Sequence, residues 1–178
     1  DGIKALPTSQ AVIPATAFAF PLPGAWGLMG AGLLAACLGF LPFNFPRARI
    51  FLGDVGSGAL GYVLAALLAA GWADSTVPWP LLCLPLCAFL VDAGFTLLGR
   101  MLKGERWWTP HVTHLYQAAA RRYGHVVTTV IYGTFGGVTL LLTYLLSQEP
   151  VPATLVVTSG VYLAALLLWV RLRRGVGG

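Results

Sequence analysis

Three places in this sequence carry residues that could handle phosphate, metal or protons. Asp54 stands in "FPRARIFLGDVGSGALGY", residues 45 to 62, with arginines on one side and an apolar run on the other. His111 and His114 stand three apart in "TPHVTHLYQ", residues 109 to 117. Asp92 lies inside a long apolar run, two helical turns before Arg100. Carboxylates hold Mg²⁺ together with phosphate oxygens, and helix N-termini attract phosphate. Glycines at 53, 56, 58 and 61 would let a ligand approach the backbone closely.

Each place also has a purely structural reading. Asp54 can cap free N–H groups at the start of a helix. Gly53, Ser57 and Gly61 recur every four residues, a small-residue seam suited to helix packing. No Gly-Lys-Ser/Thr follows, so the stretch is not a P-loop. The histidines would share a helix face and are read as phosphate contacts or proton carriers, or as solvated interfacial residues. Zinc would need further ligands that nothing nearby supplies. A carboxylate inside an apolar run is functional by default; the alternative for Asp92 is an ion pair with an arginine of a neighbouring span. Asp1 and Lys4 are spaced for a local i,i+3 pair.

The elements that must position these residues are apolar. Of 178 residues, 57% are hydrophobic and 10% charged, where a soluble domain carries about 25% charge. Six apolar segments stand out, near 5–22, 25–43, 56–72, 78–99, 126–146 and 152–170. Runs of about 20 residues cross a bilayer. The expected fold is therefore an all-α integral membrane bundle of about six transmembrane helices, a single domain over 1–178. The first segment is the weakest, with Pro7, Pro14, Pro21 and Gln10.

All eleven basic residues fall at Lys4, in 47–49, in 100–122 and in 171–174. These are alternate connections and the two ends, and Lys and Arg mark the cytoplasmic side. The links "PLPG", "ADSTVP" and "SQEPVP" hold none. Cytoplasmic loops are thus expected at about 43–54 and 100–125, with a short amphipathic helix over 113–123 and Trp107 and Trp108 as interfacial anchors. The net charge of +5 sits in short clusters, which argues against nucleic acid as a partner. Cys37, Cys83 and Cys87 read as small hydrophobes. No signal peptide is visible, and a chain opening on "DGIKAL" is expected to be a piece of something longer.

"FNFPRARIFLGDVGSGALGY" closely resembles the Asn-x-Pro-x-Ala-x-x-Phe-x-Gly-Asp-x-Gly-Ser motif of the polyprenyl-phosphate N-acetylhexosamine-1-phosphate transferases (glycosyltransferase family 4). "VDAGFTLLGRMLKGERWWTPHVTHLYQ" resembles their later signature, and "DGIKAL" the Asp-Gly-x-Asp-Gly motif of their middle cytoplasmic loop. The "HVTHLYQ" form is more similar to the O-antigen-initiating branch than to the peptidoglycan branch.

The resemblance implies Asp54 as the Mg²⁺ or nucleotide-diphosphate aspartate, with Mn²⁺ as an alternative ion. It implies His114 and Asp1 as catalytic residues, and Arg106, His111, Arg100, Asn44 and Gly53 as substrate contacts. It implies a UDP-activated amino sugar and a polyprenyl phosphate as substrates, membrane lipid and a second copy as partners, and a bacterial inner-membrane location with a cytoplasmic active site. Lys4 stands where the family has its second aspartate, and Tyr116 where several members have a further histidine. An Asp-Asp pair is expected upstream of Asp1. Members cross the membrane roughly ten or eleven times, so the chain corresponds to the C-terminal half and is expected to be inactive alone. Two other readings stand beside this one. One is a catalytically inactive homologue, suggested by Lys4; the other is a small transporter or channel module, suggested by Asp92, Pro80 and Pro85 within one span.

Overall fold

Apolar runs bounded by proline and glycine fold here into helices alone. The structure, a computed structural model, describes residues 6–45, 49–104 and 114–176. Among these there is no strand. The helices are α1 (Leu6–Ala19), α2 (Gly24–Asn44), α3 (Gly53–Asp74), α4 (Trp79–Leu82), α5 (Cys87–Leu102), α6 (Leu115–Tyr123), α7 (His125–Leu145) and α8 (Val151–Val176), with a 3₁₀ turn at Leu84–Leu86 between α4 and α5. Five stretches are long and apolar enough to cross a membrane: α2, α3, the α4–α5 unit, α7 and α8. Five such stretches make this a multi-pass membrane protein.

The first expected segment behaves differently. Its described part, α1, has 14 residues, about 21 Å of helix against a core of about 30 Å. Pro21 and Pro23 bound it before α2 begins. Nine of its 14 residues are buried, Thr8 and Gln10 among them. The helix that looks least like a lipid-facing span is thus wrapped by α2, α3 and α7, as expected where polar groups face the bundle interior. Its closest partner is α2. A Cβ at Gly30 would stand 2.9 Å from the Ala19 nitrogen, so only glycine lets the two backbones meet.

The fourth span is broken. Pro85 has no N–H, which leaves the Leu81 carbonyl without its i+4 donor. Thr143 Oγ1 on α7 donates to that carbonyl at 3.1 Å. From α8, Thr158 Oγ1 donates to the Pro80 carbonyl at 3.2 Å and the Tyr162 hydroxyl to the Cys83 carbonyl at 2.8 Å. Neighbouring helices thus re-satisfy the carbonyls at a proline break. Pro80 and Pro85 thus shape the break between α4 and α5.

The helices alternate in direction. Arg49, Arg100, Lys103, Arg121, Arg122, Arg171 and Arg173 all fall at the end where α2 finishes and α3 begins. At the opposite end Trp72 stacks on Trp79 with ring centroids 4.4 Å apart, near Asp74 and Glu149. The two ends are called the basic end and the far end below. Cys37 and Cys87 are buried and all three cysteines are free.

Candidate functional site

Asp54 is at the basic end, in the first turn of α3 and not at its cap: α3 begins one residue earlier, at Gly53. Gly53 has φ +67°, a left-handed value that strains any residue with a Cβ. A Cβ there would meet nothing within 4 Å, so the glycine is required by backbone shape rather than by crowding. The same is true of space at Gly61; the expected seam of Gly53, Ser57 and Gly61 is not packed against another described helix. Asp54 is exposed, and its negative charge suits the positive end of α3.

Asn44 has a structural task. It is 4% exposed, and its Nδ2 donates to the Ile50 carbonyl at 2.8 Å. The Arg49 N–H donates to the Phe43 carbonyl at 2.8 Å. Together these bonds close the described part of the connection that delivers Asp54. Arg100, in the last turn of α5, is 8% exposed, which suits a cation at a helix C-terminus.

The second signature falls around α6. His114 precedes it in extended conformation, φ −66° and ψ 147°. Its ring stacks on Tyr116 with centroids 5.2 Å apart, and its N–H donates to Gln117 Oε1 at 3.2 Å. Leu115, Gln117 and Ala120 are buried, whereas Arg121 and Arg122 are exposed, the two-sided character expected over 113–123. Burial, and then the charge of Asp92, push the Tyr116 phenol above its ordinary value of 10.0.

Asp92 is the best-partnered carboxylate among the described residues. It is 4% exposed and accepts from two backbone N–H groups of α6 and from Trp169 on α8. The ion pair weighed for it is replaced by these neutral donors. Beside it a cavity of about 390 Å³ opens between α5, α6, α7 and α8, walled largely by hydrocarbon such as Val91, Ile131, Phe135 and Leu168. Nothing in the sequence pointed to Trp169 or to the α6 backbone as partners of Asp92, because they follow it by 77 and 23 residues.

Asp1, Arg106 and His111 lie outside the described residues, as do Lys4, Arg47, Trp107 and Trp108. Of the expected site residues, His114 is the one found at the start of α6, stacked on Tyr116 and next to the N–H groups that Asp92 accepts from. Asp54 stands on α3, which packs on α1, α2 and α4. Among the described residues no three His, Cys, Asp or Glu cluster as a metal site. A single exposed carboxylate at a helix start nevertheless fits Mg²⁺, which commonly takes one or two carboxylates and fills its shell with water and phosphate oxygens.

Comparison with known proteins bears on the first part of the chain. The family described as glycosyl transferase family 4 matches residues 1–71. A decaprenyl-phosphate N-acetylglucosaminephosphotransferase of Mycobacterium tuberculosis is 65% identical over 34 residues, 19% of this chain and 8% of the relative. Phospho-N-acetylmuramoyl-pentapeptide-transferases of Desulforudis audaxviator and Staphylococcus aureus are 40% identical over 70 residues and 41% over 71. Those matches cover 37% and 38% of this chain, and 21% and 22% of the relatives. The chain thus spans less than a quarter of each relative's length. No solved structure matches it significantly. Residues 1–71, which include the Gly-Asp turn at the start of α3, are thus the part of the chain that is similar to glycosyl transferase family 4.

Proposed function

We propose that the chain is part of a membrane transferase that moves an N-acetylhexosamine 1-phosphate from a UDP-sugar to a polyprenyl phosphate. An oxygen of the lipid phosphate attacks the β-phosphorus of the donor. The bond from that phosphorus to the bridging oxygen breaks, and UMP leaves. The product is a polyprenyl-diphosphate sugar, the first lipid intermediate of a cell-envelope polysaccharide such as O-antigen. The site faces the cytoplasm of a bacterial inner membrane, where the soluble donor and the lipid headgroup meet.

The observation that carries this reading is the family match over residues 1–71, with Asp54 exposed at the basic end of a spanning helix. Both substrates are anionic, so catalysis is mostly positioning and charge neutralisation. When bound, Mg²⁺ (or Mn²⁺ in its place) supplies a Lewis acid and a template for phosphate oxygens. Asp54 offers it a carboxylate, and Asp1 is proposed as a second acidic contributor. Asp54 stands in the first turn of α3, the end of a helix that favours phosphate. Arg100, Arg106 and His111 are assigned to donor phosphate, and His114 to the reacting centre. The cavity beside Asp92 suits part of the acceptor's isoprenoid tail, since its walls would repel a sugar nucleotide.

The test uses the full-length protein in detergent with undecaprenyl phosphate. Offered UDP-N-acetylglucosamine, it should release UMP, and EDTA should stop the release. UMP release only with a muramoyl-pentapeptide donor would move the protein to the peptidoglycan branch. No release with either donor would overturn the reading.

A further inference from the structure

Asp92 lies eight residues before Arg100, about 12 Å along the helix axis, on the span that carries the basic end of α5. Its carboxylate is committed to protein donors. Oδ1 accepts from the Leu115 N–H at 2.9 Å and from Trp169 Nε1–H at 2.9 Å. Oδ2 accepts from the Tyr116 N–H at 3.2 Å. Thr96 Oγ1 adds a longer contact at 3.5 Å.

Leu115 and Tyr116 are the first two residues of α6, and the first N–H groups of any helix have no carbonyl of their own. Asp92 therefore does from another helix what a capping residue does locally. Its charge is matched by the positive end of α6. His114 is the residue immediately before these two N–H groups. Its Cα is fixed in direction by the extended φ and ψ quoted above and by the bond from its N–H to Gln117. Moving the first turn of α6 would move His114 with it.

We propose that Asp92 is a positioning residue that sets the depth and direction of His114 by holding the N-terminal turn of α6. The proposal rests on the transferase reading, in which His114 serves the reaction. Asp92 borders the cavity assigned to the isoprenoid tail, but its oxygens are occupied by protein donors. Trp169 is the second hand on the same carboxylate, and Arg173 stacks over the Trp169 ring at 4.7 Å.

The test uses the full-length protein and two variants that remove the same bond from opposite sides. Asp92→Leu removes both acceptor oxygens at similar side-chain size. Leu115→Pro removes one N–H; proline suits the first helical position, and the extended His114 suits the residue before a proline. Amide hydrogen exchange over residues 114–117, measured without substrate, should speed up on the order of tenfold in Asp92→Leu. Turnover should fall on the order of tenfold to a hundredfold while KM for the sugar nucleotide changes less than about threefold. In the double variant the two losses should fail to add, because both sever one contact. Unaltered exchange in Asp92→Leu would overturn the proposal, as would additive losses. A wild-type protein that releases no UMP would remove the transferase reading but leave the exchange result to judge the anchor by itself.

Discussion

The two halves of the molecule treat a carboxylate in opposite ways. In α1–α3, helices meet by close backbone approach at glycine, and Asp54 is left exposed. In α4–α8, helices are tied by side-chain hydrogen bonds, and Asp92 is enclosed by three strong donors. An aspartate that a fold leaves open is available to a ligand; one that a fold satisfies completely is part of the fold. The difference lies in the supply of donors: α6 and α8 bring theirs to Asp92, which lies deeper in its span.

The largest effect should come from the open carboxylate. Asp54→Asn in the full-length protein should lower UMP release about 10²- to 10³-fold without changing the denaturation midpoint, measured by thermal scan in detergent. A large drop in stability would erase the contrast. Next comes Gly30→Val, which forces a side chain against the Ala19 backbone and should cost about 1–3 kcal/mol, read as earlier unfolding. Trp169→Phe removes one donor from Asp92 and should cost about 1.5 kcal/mol; an unaltered midpoint would show the indole bond to be dispensable. Thr143→Val leaves the Leu81 carbonyl bare at the helix break and should cost about 1 kcal/mol in the same scan.

The smallest effect concerns pH. Tyr116 is raised above 10.0 by burial and then by Asp92, so the folded state holds the phenolic proton more tightly than the unfolded chain does. Its contribution is complete below the ordinary tyrosine value and is lost as pH rises from there through the raised one. Denaturant midpoints between about pH 9 and 11 should therefore fall less in Tyr116→Phe than in the parent.

Much of this was legible in the sequence, and the misses have physical reasons. The long spans α2, α3, α7 and α8 follow from uninterrupted apolar runs, and α6 from the two-sided pattern of "LYQAAARRY". The exposed place of Asp54 followed from the glycines and arginines around it. The burial of α1 was not legible, because hydropathy scores Thr8, Gln10 and Pro14 as weakness although such residues favour the bundle interior. The bond from the Asn44 amide to the Ile50 carbonyl was not legible, because no side-chain pattern marks which carbonyl of a turn an amide will reach. The donors of Asp92 were out of reach, since no local pattern links position 92 to 115, 116 and 169.

The long separation between Asp92 and its partners bears on how the protein is made. The ribosome delivers residue 92 before Leu115, Tyr116 or Trp169 exists. A lone aspartate at the centre of a membrane helix costs about 2.5–3.5 kcal/mol on insertion. During synthesis this span therefore sits less comfortably in lipid until α6 and α8 arrive with the donors that its carboxylate needs.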